Sequence, residues 1–165
     1  MKFNSKGGDI MLYRLKQFIS VGLLAGLAVL TGCVTAGASP GKSAGAGGFP
    51  ENVVYHVNDS SIARLALNNV KNHLSANPQA HIVVVTHGKG VDFLLEGAKD
   101  QQGNPFDITA QELKAKGVEF DVCNNTLVGR KIDPKTVIPE AKIVPSGVAE
   151  ISKLQSLEHY SYVKP

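Results

Sequence analysis

Beyond residue 50 the apolar and polar positions of the chain change period several times, and each change marks an element. Val53, Val54, Tyr55, His56 and Val57 read as a strand, and Asn58, Asp59 and Ser60 after them carry helix-capping side chains. Ile62, Leu65, Ala66, Val70 and Leu74 then recur at steps of three and four, which predicts one apolar helix face ending at Asn77-Pro78. Ile82 to Val85 is an unbroken apolar run, the pattern of a strand covered on both faces, and it gives way to Thr86, His87 and Gly88. Val91 to Ala98 predicts a short helix, Gly103-Asn104-Pro105 a turn, and Ile108 to Lys116 a further helix stopped by Gly117. Val118, Phe120 and Val122 alternate with Glu119 and Asp121, so this strand is expected to have one wetter face; it ends in Cys123. Asn124 to Arg130 and Asp133-Pro134 each predict a turn or two of helix, and Lys142 to Pro145 a brief strand. Ser146 caps a helix expected to turn Val148, Ile151, Leu154 and Leu157 inward, and Tyr160, Tyr162 and Val163 close the chain as an edge strand.

Strands that alternate with helical segments need crossover connections, which make their neighbours parallel. Five such strands predict an α/β domain over residues 49–165, a parallel sheet between helical layers. No internal repeat is visible.

The first part of the chain follows a different pattern. Lys2, Lys6, Arg14 and Lys16 precede an uncharged apolar run from Phe18 to Leu30, the arrangement of an export leader. The run is about a dozen residues, against the ~20 that a permanent membrane-crossing helix requires. Leu30-Thr31-Gly32-Cys33 resembles the bacterial lipobox, which implies cleavage before Cys33 and acylation of its thiol. Residues 1–33 are thus read as a signal peptide with lipobox, starting at Met1 or Met11. Residues 34–48, almost entirely Gly, Ala, Ser, Thr and Pro, are read as a flexible tether. The expected location is the bacterial envelope, with a lipid anchor in the membrane and the domain facing the periplasm. Val34 in place of Asp after Cys33 favours the outer membrane by analogy with enteric lipoproteins.

The leader also accounts for the net charge of +3, because it holds four of the 17 basic and one of the 14 acidic side chains. The remaining chain carries 13 of each and is neutral, which excludes a nucleic-acid partner held by charge. With Cys33 assigned to lipid, Cys123 has no intramolecular partner in an oxidising compartment.

Parallel sheets gather ligands at the carboxyl ends of their strands. Three candidates fall there: Asn58-Asp59, His87-Gly88-Lys89-Gly90 and Cys123-Asn124-Asn125. A cysteine where a strand hands over to a helix is pushed toward the thiolate by amide dipoles, and Lys89 or Arg130 would add positive charge. The alternative is that Cys123 is a small buried hydrophobe. His87 is a candidate proton carrier beside the thiol, or a hydrogen-bonded histidine at a strand end. Gly88-Lys89-Gly90 lacks the spacing of a phosphate loop, and Lys99 to Gln102 reads as a solvated loop. His56, His73, His81 and His159 show no metal-ligand spacing, so neither metal nor cofactor is expected.

Ile82 to Gly88, Gly117 to Asn125 and Ile143 to Ile151 together resemble the DsrE/DsrF-like family, which includes sulfur-relay subunits and YchN-like proteins; the resemblance runs from Val53 to Pro165. It implies a three-layer α/β/α fold with a five-stranded, mainly parallel sheet, and homo-oligomers, trimers or hexamers. It further implies that Cys123 accepts sulfane sulfur as a persulfide and passes it to a thiol-bearing protein or small sulfur compound. In that reading Asn124, Asn125 and nearby amides hold the sulfur, with Lys89 and Asn58 lining the pocket, and His87 handles the proton. Unlike relay members, this chain carries an export leader and no second cysteine in the domain. Two other functions fit the same residues: a non-catalytic scaffold that binds a small ligand or protein, and a thiol redox sensor.

Overall fold

The computed structural model of the chain describes residues 48–165, so the leader, Cys33 and the tether up to residue 47 lie outside the described residues. Five strands form one sheet: β1 (Glu51–Val57), β2 (Ala80–Thr86), β3 (Glu119–Cys123), β4 (Ala141–Val144) and β5 (Ser161–Val163). Their order is β4-β3-β2-β1-β5 and every neighbouring pair is parallel. The helices are α1 (Ala63–Ala76), α2 (Asp107–Lys114), α3 (Asn124–Arg130) and α4 (Gly147–Leu157). Short 3-10 segments occupy Ser60–Ile62, Gly88–Leu94 and Pro134–Thr136. Among the described residues no helix is long and apolar enough to cross a membrane.

The strand order explains where the helices lie. The chain steps in one direction from β1 to β4, so right-handed crossovers place α1 to α3 on one face. The connection from β4 back across the sheet to β5 reverses direction and puts α4 on the other. On the first face Val53, Val57, Ile82, Val84, Phe120 and Val122 pack against Leu67, Val70, Phe93, Leu113 and Leu127. The second face has a smaller core, Val54, Val83 and Val85 under Ile151, Leu154 and Tyr160.

The caps read from the sequence are present. Asp59 and Asp133 accept from the amides of Ser61 and Lys135, Ser146 faces Ala149 N, and Gly117 adopts φ +90° after α2. Several expectations are corrected. The inward stripe of α1 is Ala63, Ala66, Leu67 and Val70, while Leu65 is 52% exposed. Ala66 and Val70 are buried as expected and Ile62 and Leu74 pack against the core in part, so Leu67 takes the inward place expected of Leu65.

No α-helix covers Val91 to Ala98; a 3-10 segment runs over Gly88–Leu94, and the extended backbone of Leu95 after it bridges to Val137. Gly90 fixes this path, since a Cβ there would lie 2.0 Å from Val57 O. In α4 the buried residues are Gly147, Ile151 and Leu154, and Val148 and Leu157 stay exposed. The wetter face expected of β3 is closed instead, and Asp121 is fully buried there. The segment from Lys99 to Gln102 is an ordered turn: Asp100 accepts from the amides of Gln102 and Asn104 and pairs with Arg64 at 2.9 Å.

Candidate functional site

Strand alternation and register bring four chemically active side chains to one edge of the α4 face. Tyr162 of β5 lies opposite Val54 of β1, and His56 follows two positions later on the same face. Opposite His56 is Val85 of β2, whose next same-face residue is His87. Val85 in turn faces Asp121 of β3, whose next same-face residue is Cys123. The row Tyr162, His56, His87, Cys123 therefore runs along the carboxyl ends of β5, β1, β2 and β3.

Cys123 is a free cysteine, buried, and the N-cap residue of α3. Directly beside it begins α4: a Cβ on Gly147 would stand 3.2 Å from both Cys123 Cβ and His87 Cβ, and 3.0 Å from Thr86 O. Glycine here lets the helix start closer to the sulfur than any other residue permits. Burial alone would raise the thiol, but the N–H dipoles of Gly147, Thr126 and Asn125, together with the Thr126 hydroxyl, hold it below its ordinary range. No cap hydrogen bond closes on the neutral thiol. The dipoles are poised for the thiolate, the form they favour.

Thr126 is held for this task by the β2 loop, since Gly88 N donates to Thr126 Oγ1 at 2.9 Å and leaves the hydroxyl proton free. Gly88 takes φ +58°, which turns its amide toward α3. Arg130 ties the same loop down by donating to Gly88 O at 2.9 Å and Asp92 Oδ1 at 2.6 Å.

The histidines form a chain. His56 Nε2 and His87 Nε2 are 2.6 Å apart, and His56 Nδ1 lies 2.6 Å from Tyr162 Oη. The ring centroids of the two histidines are 4.7 Å apart, well beyond their nitrogen separation, so the rings meet tip to tip. Burial lowers the affinity of both rings for a second proton, and the charge of Lys164 lowers it further.

The sequence candidates are distributed unevenly across this geometry. Cys123 and His87 are adjacent, and Asn124 and Asn125 open α3; Asn125 contributes its backbone N–H, which also donates to Pro145 O at 3.3 Å. Lys89 lines a cleft of about 780 Å³ with Asp59, Arg64, Asp92, Lys99 and Phe106, and Cys123 is not part of that lining. Asn58 is exposed and approaches Gly88 and Gly90 through its backbone. Arg130 is committed to Asp92, so the charge near Cys123 comes from amides rather than from the expected cations. Thr126, Gly147, His56 and Tyr162 were not singled out by the sequence. The Ser146-Gly147 helix start after a strand was a readable signal for one of them, and the Val54-His56 alternation for another. Among the described residues no cluster of three or more metal-ligating side chains occurs.

Comparison with known proteins agrees with this architecture. No match was found among curated proteins. The solved structure of MTH1491 from Methanobacterium thermoautotrophicum, described as a protein of unknown function, superposes with a TM-score of 0.63 at 28% identity, covering 70% of this chain and 99% of that one. The ychN protein from E. coli shares the fold with a TM-score of 0.57 at 15% identity, over 71% of this chain and all of the other. The model of the DsrE/DsrF-like family matches residues 52–165, most of the chain. With this span of sequence and a five-stranded parallel sheet in common, the chain belongs to the DsrE/DsrF-like family.

Proposed function

We propose that the protein is an envelope sulfur-handling protein in which Cys123 accepts sulfane sulfur and passes it to a partner thiol. The observation that carries this reading is the position of Cys123: a free thiol ending a central strand, with α3 and α4 both starting against it and its thiol lowered despite burial. The thiolate attacks the outer sulfur of a persulfide donor; the donor S–S bond breaks, its electron pair leaves with the donor thiolate, and Cys123 becomes a persulfide. A second thiolate then takes the outer sulfur and Cys123 returns to the thiolate. Sulfur moves without net oxidation, and no cofactor takes part. At 4% exposure Cys123 admits a slender sulfur chain in preference to a bulky electrophile.

In the same reading Cys33 carries the lipid, the tether spans residues 34–48, and the domain from residue 49 faces the periplasm, on the outer membrane, as a homo-oligomer. Exchange partners are a thiol-bearing protein or a small sulfur compound. The test is intact-protein mass spectrometry after incubation with a sulfane-sulfur donor. Wild type gains one or more sulfur atoms that reductant removes, and Cys123→Ser gains none. Equal masses before and after, with a thiol that resists alkylation in the folded state, would reject the reading.

One observation favours a different function, a ligand-binding scaffold: the cleft near Lys89 and Arg64 does not include Cys123. That reading gains support if sulfur uptake fails.

A further inference from the structure

The His56–His87 contact permits a single proton between the two rings, because nitrogens 2.6 Å apart must comprise one donor and one acceptor. His56 Nδ1 is engaged with Tyr162 Oη in the same way, and Tyr162, on the edge strand, is 42% exposed. The three side chains thus form a continuous line from solvent to the residue next to Cys123. The line has two polarities. In one, Tyr162 donates to His56, His56 donates through Nε2 to His87 Nε2, and His87 carries its proton on Nδ1. In the other every bond is reversed, and His87 Nδ1 is a free lone pair.

We propose that Tyr162, His56 and His87 form a proton path along the carboxyl edge of the sheet, through which His87 protonates the alkyl thiolate expelled when Cys123 takes sulfur from an alkyl persulfide. This inference rests on the persulfide function proposed above. His87 acts as the catalytic acid, and His56 and Tyr162 are positioning residues that refill it. As the donor S–S bond breaks, the Nδ1 proton of His87 passes to the departing sulfur. The Nε2 proton of His56 moves to His87, the hydroxyl proton of Tyr162 moves to His56, and water replaces it.

The line is left in its reversed polarity with every group neutral. When the acceptor thiol arrives, His87 Nδ1 takes its proton, the shifts run backward, and the excess proton leaves from Tyr162. The second half of the exchange resets the first. A stepwise route through a charged His87 is disfavoured by burial and by Lys164, the cation that bears on both rings. Cys123 needs no base of its own, since amide dipoles already favour its thiolate.

A basic leaving thiolate departs slowly without a proton, whereas an acidic one departs unaided. The experiment compares sulfur uptake by Cys123 from an alkyl persulfide and from a nitroaryl persulfide, as a function of pH. Tyr162→Phe keeps the ring and removes only the hydroxyl; His56→Gln keeps a hydrogen-bonding side chain that cannot exchange tautomers. Both variants are expected to slow uptake from the alkyl donor by about tenfold near neutral pH and to leave the nitroaryl rate unchanged. Added imidazole should restore the alkyl rate of His56→Gly. Equal slowing with both donors, or no slowing with either, overturns the proton path while leaving the persulfide function intact. Absence of uptake in the wild type overturns that function, and the path with it.

Discussion

The two faces of the sheet are built to different rules. Under α1, α2 and α3 the strands present Val53, Val57, Ile82, Val84, Phe120 and Val122 to an apolar helical layer. Under α4 the apolar patch is small, and around it stand His81, Glu119, Asp121 and Lys142, then His56, His87 and Cys123 at the carboxyl edge. Asp121 shows the difference most clearly. It is fully buried, neither carboxylate oxygen has a hydrogen bond, and Lys142 approaches only to 3.5 Å. Burial, with Glu150 and Glu119 adding to it and Lys142 opposing, pushes its carboxyl up to about 6. The first face supplies stability through burial of apolar area; the second carries polar groups whose burial costs stability.

The contrast breaks most sharply at Phe120, 1% exposed on the first face. Phe120→Ala should destabilise the fold by about 3–5 kcal/mol in denaturant unfolding, because the truncated ring leaves a cavity. Asp121→Asn probes the second face with the opposite sign. The folded pKa of Asp121 lies above its unfolded value, so the stability it contributes is fully present below about pH 4 and is lost as pH rises through about 6, where the buried carboxyl ionises. A rise from 3.8 to about 6 corresponds to about 3 kcal/mol across that window. The asparagine variant should lose most of this slope in unfolding measured from pH 4 to pH 8. An unchanged slope would show that other groups set the pH dependence.

A smaller effect sharpens the account of Cys123. Gly147→Ala places a methyl group 3.0 Å from Thr86 O and moves the start of α4 off the sulfur. The thiol pKa, followed by thiolate absorbance, should rise by about one unit, or ~1.4 kcal/mol of lost preference for the thiolate. The smallest effect is expected at Leu157, 73% exposed. Leu157→Ser should change stability by less than about 0.5 kcal/mol, whereas a larger loss would mean that this end of α4 is covered in solution.

How far these features are legible in the sequence depends on how far apart their causes lie. The order of strands and helices follows from apolar period and capping residues, each a matter of a few neighbouring positions. Cys123 is legible too, because the strand ending there and the helix beginning after it are contiguous. The inward stripe of α1, the exposure of Val148 and Leu157, and the burial of Asp121 are not, since each depends on which helix covers which face. Lys89 and Arg130 looked like partners of the thiol by type alone; a cleft and Asp92 hold them instead.

The sequence by itself determined the α/β class, the five strands and the thiol at the end of the third, because local pattern and local caps are sufficient for these. Only the tertiary structure decided that Tyr162, His56 and His87 line up beside Cys123. Their alignment depends on strand register and on the reversed crossover from β4 to β5, which inserts the final strand beside the first. Contacts between residues so distant in the chain leave no period to read; they exist only once the sheet has closed its order.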